Sequence, residues 1–203
     1  MRKSVLVVVS LLFFLAVGVA SASYPQSQVN PGVDQEPPPA GMVTIALRPD
    51  SVAVLPDKIF TMEIVIDASS QEVDAAQVYI DFDPDYLSVV DEFGQPASEI
   101  IPGTALPQTM LNTADNAAGE IGYAAGHLVP GAVLQRPFVL ATIRFRTHAL
   151  TSNTEVVFHL DGTRQTKVNI GYTSVPIAEI TDGRVRIYVY RLFMPLDLKG
   201  NFH

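Results

Sequence analysis

The sequence predicts an all-β domain, a two-sheet antiparallel β-sandwich of about nine strands in a jelly-roll-like arrangement. Three observations carry that expectation. Apolar and polar residues alternate over run after run, most cleanly at residues 60–67, 76–82 and 138–147, which is the period of a strand with one buried face. The runs are short and are separated by Gly, Pro, Asn and Asp, the residues that favour turns. No segment of the domain sustains a 3.6-residue period. Many short strands at such spacing build a sandwich or a barrel. Half-apolar strands suit antiparallel sheets packed face to face with one wet side each.

The chain opens with Met1-Arg2-Lys3, an apolar run at residues 5–20 and the small residues Ala20-Ser21-Ala22. A basic start, an apolar stretch and a small-x-small end mark residues 1–22 as a secretory signal peptide. The destination is extracellular, with attachment to the cell surface as a variant of that reading. An uncleaved anchor is the alternative, but about 16 apolar residues fall short of the roughly 20 that a span needs. No later segment is long and apolar enough to span a membrane. Residues 23–41 hold five prolines, three of them consecutive at Pro37-Pro38-Pro39, and read as an extended linker.

The sandwich is assigned to residues 42–190. Val43, Ile45 and Leu47 alternate in the first strand, and residues 51–55 form a short second one closed by Pro56-Asp57. In the third, Phe60, Met62, Ile64 and Ile66 oppose Thr61, Glu63, Val65 and Asp67. The stretch 73–90 is the centre of the reading. Ala76, Val78, Ile80 and Phe82 point one way and Gln77, Tyr79 and Asp81 the other. Asp83-Pro84-Asp85 then stops the strand, because Pro84 cannot donate to a ladder, and Leu87, Val89 and Val90 begin the next. Residues 91–119 read as loop. Ile121 and Tyr123 share a face of a strand at 120–125, and a second loop covers 126–137. In residues 138–147, Val139, Ala141, Ile143 and Phe145 oppose Leu140, Thr142, Arg144 and Arg146. Strands follow at 154–160 (Val156, Phe158 and Leu160 on one face), 166–170 and 183–190 (Val185, Ile187 and Val189 inward). The tail, residues 191–203, carries Leu192, Phe193, Met194, Leu196 and Leu198. It reads either as a sorting or anchoring tail or as a last strand against the sandwich.

Charge and composition exclude whole classes of function. Loss of residues 1–22 removes Arg2 and Lys3 and no acid, leaving 11 basic against 21 acidic residues, a formal charge of −10. Such a surface repels phosphate backbones, so nucleic acid is not a partner. The absence of cysteine rules out thiol catalysis, disulfides and lipid attachment at an N-terminal Cys. The remaining 150 or so residues bury a sizeable core without disulfides. His127, His148, His159 and His203 show no zinc-type spacing, no Ser stands in a G-x-S-x-G elbow, and no carboxylate pair is singled out. The chain is read as non-catalytic. Asp81, Asp83, Asp85 and Glu92 fall at positions one, three, five and twelve of an EF-hand loop. Tyr86 occupies the place that wants Gly, Pro84 limits the bend and the flanks are strands, so the expectation is a turn with Asp83 bonding nearby amides. No metal site or cofactor is assigned. Calcium held loosely by these carboxylates or by Asp115 is the alternative.

Several phrases, in order, make the chain resemble the cohesin family, the β-sandwich receptor modules of bacterial cellulosomes and related surface systems. They are Val52-Ala53-Val54, Phe60 to Asp67, Ala76 to Pro84 with Leu87-Ser88-Val89-Val90, Ile101-Pro102-Gly103, Gly122 to Gly126, Leu140 to Phe145 and Gly183-Arg184-Val185. The hydrophobic-Asp-Pro-x-x-Leu step is the most telling. The resemblance covers roughly residues 43–188. It implies a partner, the dockerin, a small calcium-loaded module docked on one sheet face. Counted back from Asp83-Pro84, the Asn and Asp contact positions of the best-known group fall on Ala75 and Gln77, and neither matches. The outward row Gln77, Tyr79 and Asp81, joined by Arg144 and Arg146, is the candidate partner-binding face, since Tyr and Arg are favoured interface anchors. The bland alternative is a solvated strand face. Polysaccharide is the rival partner, since Tyr79, Tyr86, Tyr172 and Tyr188 could stack on sugars, although the chain has no Trp. A structural spacer with no specific ligand is the third reading.

Overall fold

Period-two alternation becomes fourteen strands in the computed structural model, which describes residues 43–128 and 132–189. The segments read above as signal peptide, linker and C-terminal tail lie outside the described residues. The strands are β1 (Val43–Arg48), β2 (Ser51–Val54), β3 (Ile59–Asp67), β4 (Ala75–Phe82), β5 (Leu87–Val89), β6 (Ile101–Pro102) and β7 (Gln108–Asp115). They continue with β8 (Glu120–Gly126), β9 (Phe138–Thr147), β10 (Thr151–Phe158), β11 (Lys167–Ile170), β12 (Thr173–Val175), β13 (Ile177–Thr181) and β14 (Gly183–Ile187). No described residue is helical.

The strands form two sheets, as the sequence predicts. The first has six strands in the order β13-β1-β3-β9-β5, with β6 also on β9. The second has eight, in the order β12-β11-β4-β10-β14-β2, with β8 on the other edge of β4 and β7 outside β8. Most pairs are antiparallel. Two are parallel, β1 with β13 and β14 with β2, because the last strands return beside the first ones instead of turning back in hairpins. The inward residues named above meet in one core. Ile45, Leu47, Met62, Ile64 and Ile66 from the first sheet and Val78, Ile80, Tyr123, Val156 and Val185 from the second are fully buried or nearly so. Phe145 spans the two sheets, its ring 5.4 Å from Phe82 edge-on and 5.7 Å from Phe60.

Four details differ from the sequence reading, each for a local reason. The segment 91–119 contains β6 and β7. No residue of β7 is buried, so it shows no apolar alternation to read. The short strand β12 is mostly exposed and β13 has no fully buried residue, so both are equally silent. In β9 the register against β3 shifts at Leu140, so Leu140 and Ala141 both enter the core while Val139 sides with Thr142, Arg144 and Arg146. Finally, β10 and β14 stop at Phe158 and Ile187, so Leu160 is exposed and does not share the buried face of Val156 and Phe158, and Val189 is exposed rather than inward.

Candidate functional site

The outward row of β4 lies near the middle of the eight-stranded sheet. Gln77, Tyr79 and Asp81 alternate with buried Val78, Ile80 and Phe82 and are themselves half-buried. On one side β8 pairs along nearly the whole strand, setting Asp81 beside Glu120, Tyr79 beside Gly122, Gln77 beside Ala124 and Ala75 beside Gly126. Small residues on β8 let taller neighbours lean across it. A Cβ on Gly122 would lie 3.1 Å from Tyr79 Cε1, 3.2 Å from Leu111 Cδ2 and 3.0 Å from Thr113 Oγ1. Tyr79 thus covers a cross-strand glycine, the arrangement in which an aromatic ring supplies packing that glycine lacks. A bulge in β7 between Thr109 and Leu111 puts Met110 on the same face, its Cε 3.3 Å from the corresponding point at Gly126.

The other edge of β4 is shared. β10 pairs with Ile80 to Phe82 and β11 with Ala75 to Gln77. Between them the chain leaves the sheet after His159 and returns at Thr166. The exit is closed by Thr166 N–H donating to His159 C=O (3.0 Å) and His159 N–H donating to Tyr79 C=O (2.8 Å). Tyr79 N–H donates to Thr166 Oγ1 at 3.1 Å. The looped-out residues 160–165 send Arg164 onto the row. Its guanidinium donates to Asp81 Oδ1 (2.6 Å) and to Glu120 Oε1 (3.1 Å), and its Cζ lies 5.6 Å from the centre of the Tyr79 ring. His159 Nδ1 stands 3.2 Å from the other oxygen of Asp81, and Gln77 Nε2 donates to Gln165 C=O at 3.1 Å. Both oxygens of Asp81 are therefore engaged within the chain.

The structure keeps Gln77, Tyr79 and Asp81 together and separates them from Arg144 and Arg146. The two arginines point outward from β9, in the other sheet. Alternation tells which side of a strand a residue takes, not which sheet the strand joins. Neither makes an ion pair among the described residues, and Arg144 lines a shallow groove with Asp91, Glu99, Ile100 and Ile101. The sequence reading did not place Arg164, His159 and Glu120 on this face. Arg164 is 83 residues from Asp81 and no local pattern links them. Arg184 and Arg186 of β14 are exposed, with Arg186 over the Tyr188 ring at 5.7 Å.

The EF-hand spacing is not realised as a loop. Asp81 faces Arg164, and Asp83 Oδ1 accepts the N–H of Asp85 at 3.0 Å, the turn expected there. Asp115 Oδ1 accepts the N–H groups of Ala117 and Ala118. Those bonds, Ala118 first, hold its carboxyl below the ordinary value. Among the described residues no group of three or more His, Cys, Asp or Glu is arranged to hold a metal ion.

A scan against protein-family models finds no match, and a search of curated proteins finds none either. Solved structures do match. A type II cohesin domain from the cellulosome of Acetivibrio cellulolyticus is 16% identical with a TM-score of 0.60, over 71% of this chain and 95% of that one. A non-cellulosomal cohesin from the hyperthermophilic archaeon Archaeoglobus fulgidus is 15% identical with a TM-score of 0.55, over 73% and 92%. A novel type I cohesin–dockerin complex from Clostridium thermocellum gives 10% identity and a TM-score of 0.58, over 72% and 93%. The fold of this chain is that of a cohesin module.

Proposed function

We propose that this chain is a non-catalytic, secreted module that binds a dockerin-type protein in an extracellular, polysaccharide-degrading assembly. The observation that carries the reading is the fold, since the similar structure from Clostridium thermocellum is a cohesin–dockerin complex. The signal peptide expected at residues 1–22 delivers the chain outside the cell. The outer face of β7, β8 and β4 is the docking surface, with Tyr79 and Leu111 as packing anchors and Gln77 at its centre. Ala75 and Gln77 replace the usual contact residues, so the partner is a dockerin whose complementary positions differ accordingly. Recognition is docking onto one sheet face, with no bond chemistry.

The test is a binding screen of the purified chain against type I and type II dockerins in calcium, run beside a glycan array. The expected result is saturable binding to at least one dockerin, weakened at least tenfold by Tyr79→Ala. A sugar platform is the second reading, favoured by one observation. Tyr172 stands fully exposed at the tip of the β11–β12 hairpin, just after Gly171 at φ +57°. Retention on cellulose or xylan without dockerin binding would replace the first reading with the second. Silence in both assays, with Gln77, Tyr79 and Asp81 substitutable without effect, would make the domain a spacer.

A further inference from the structure

We infer that Arg164 is the positioning residue of this face, holding Tyr79 and Asp81 in the orientation a partner meets. The inference rests on the docking surface proposed above and adds a residue to it from outside the β4 row. Asp81 and Glu120 are direct cross-strand neighbours on β4 and β8. Two carboxylates in that relation repel and splay their side chains. Arg164 bridges them, one nitrogen to each, and sets its Cζ over the Tyr79 ring, 5.6 Å from the ring centre. A tyrosine on an outward strand position otherwise samples several rotamers. Here Tyr79 Cε1 lies against Gly122, and Arg164 Cζ stands 5.6 Å from the ring centre, so the ring has contacts that limit its choice. The looped-out segment that carries Arg164 is itself pinned at His159, Gln165 and Thr166. Lysine cannot reproduce the arrangement, because a point charge lacks the planar fork that reaches two carboxylates and an aromatic face together. Each side chain ordered before binding is worth a factor of a few to about ten in affinity, so loss of Arg164 weakens docking about tenfold or more.

The experiment compares the parent chain with Arg164→Met, which keeps the apolar stem and removes the charge, and with Arg164→Lys. Three quantities are read: the NMR shifts of the Gly122 α-protons, which report the nearby Tyr79 ring, the thermal midpoint, and the affinity for a dockerin selected from the screen. The expected result for Arg164→Met is a Gly122 shift moved toward its random-coil value and binding weakened about tenfold. Arg164→Lys falls between that variant and the parent. Adding Glu120→Gln to Arg164→Met removes the carboxylate repulsion and recovers part of both effects, which a general loss of stability would not allow. An unchanged Gly122 shift in the Met variant, or affinity within twofold of the parent, overturns the inference. If the Met variant does not fold, the Lys variant decides on the same two readouts. A parent chain that binds no dockerin sinks the proposed function, and the Gly122 shift then decides for or against Arg164 alone.

Discussion

Two asparagine side chains stand in for strand partners. Asn116 Oδ1 accepts Val89 N–H at 2.6 Å, and its Nδ2 donates to Val89 C=O (3.0 Å) and Ala97 C=O (3.1 Å). Asn112 does the same for both backbone groups of Ile100. The sequence shows these residues only as turn formers between 112 and 116, since a side chain pairing with backbone 27 residues away leaves no local pattern. An amide suits the task because it carries one acceptor and two donors, as a peptide group does in kind. Asn116→Ala strands the buried Val89 N–H at about 1–3 kcal/mol, while Val89 C=O keeps the N–H of Ala97 at 3.0 Å. The expected loss of unfolding free energy is therefore about 1–3 kcal/mol in a urea titration, with an unchanged m-value. A loss below about 1 kcal/mol would mean that water replaces the amide there. Asp115, the residue before Asn116, bears on pH dependence. Its carboxyl is lowered from 3.8 by the Ala118 and Ala117 amides. A depressed acid contributes stability above its unfolded pKa and loses it as pH falls through the folded one. Parent and Asp115→Asn should therefore differ most above about pH 4 and converge in more acid solution. Denaturation curves taken between pH 6 and pH 2 check the sign.

At the scale of the strand, β4 was legible because its sequence and its surroundings agree. Every second residue is buried, and the pattern ends where Asp83 and Pro84 end it. What flanks β4 was not legible. β7 buries no side chain, and β10 and β11 run along one edge of β4 as two pieces parted by an excursion. A sequence pattern reports burial, and these features depend on pairing. The face they build depends on the smallness of β8. Gly122→Val places a branched side chain against Thr113, Tyr79 and Leu111, all within 3.2 Å of its Cβ. Valine favours strands, which offsets part of the crowding, and overpacking of this kind costs about 1–3 kcal/mol. The added bulk pushes on the half-buried Tyr79 ring and displaces it from the position Arg164 holds. The variant should keep its fold by circular dichroism, lose a few degrees of thermal midpoint and bind a dockerin at least tenfold more weakly. Binding equal to the parent would show that Tyr79 is not an anchor.

Over the whole molecule, the class of fold follows from alternation, but the assignment of strands to sheets does not. Arg144 and Arg146 face outward as read, from the sheet opposite Tyr79. The ordered phrases around Asp83-Pro84 pointed to the cohesin fold because they record the core and its turns, which the fold requires, while the partner face is free to vary. Closure of the sandwich is likewise a long-range matter. β1 lies between β13 and β3, and β2 lies beside β14, so strands from the two ends of the described domain lock each other in place. Val43, Ile45 and Leu47 of β1 are wholly buried. Burial of each such side chain is worth about 1.5–3 kcal/mol, and whole domains are stable by about 5–15 kcal/mol. A fragment of residues 57–189 loses this contribution and also opens the edges of β3, β13 and β14, leaving strand groups unpaired. It should show no cooperative thermal transition. Residues 43–189 should unfold in one, with calorimetric and van't Hoff enthalpies equal. A cooperative transition in the shorter fragment would show instead that β3, β9 and the eight-stranded sheet form a core that is complete without the first two strands.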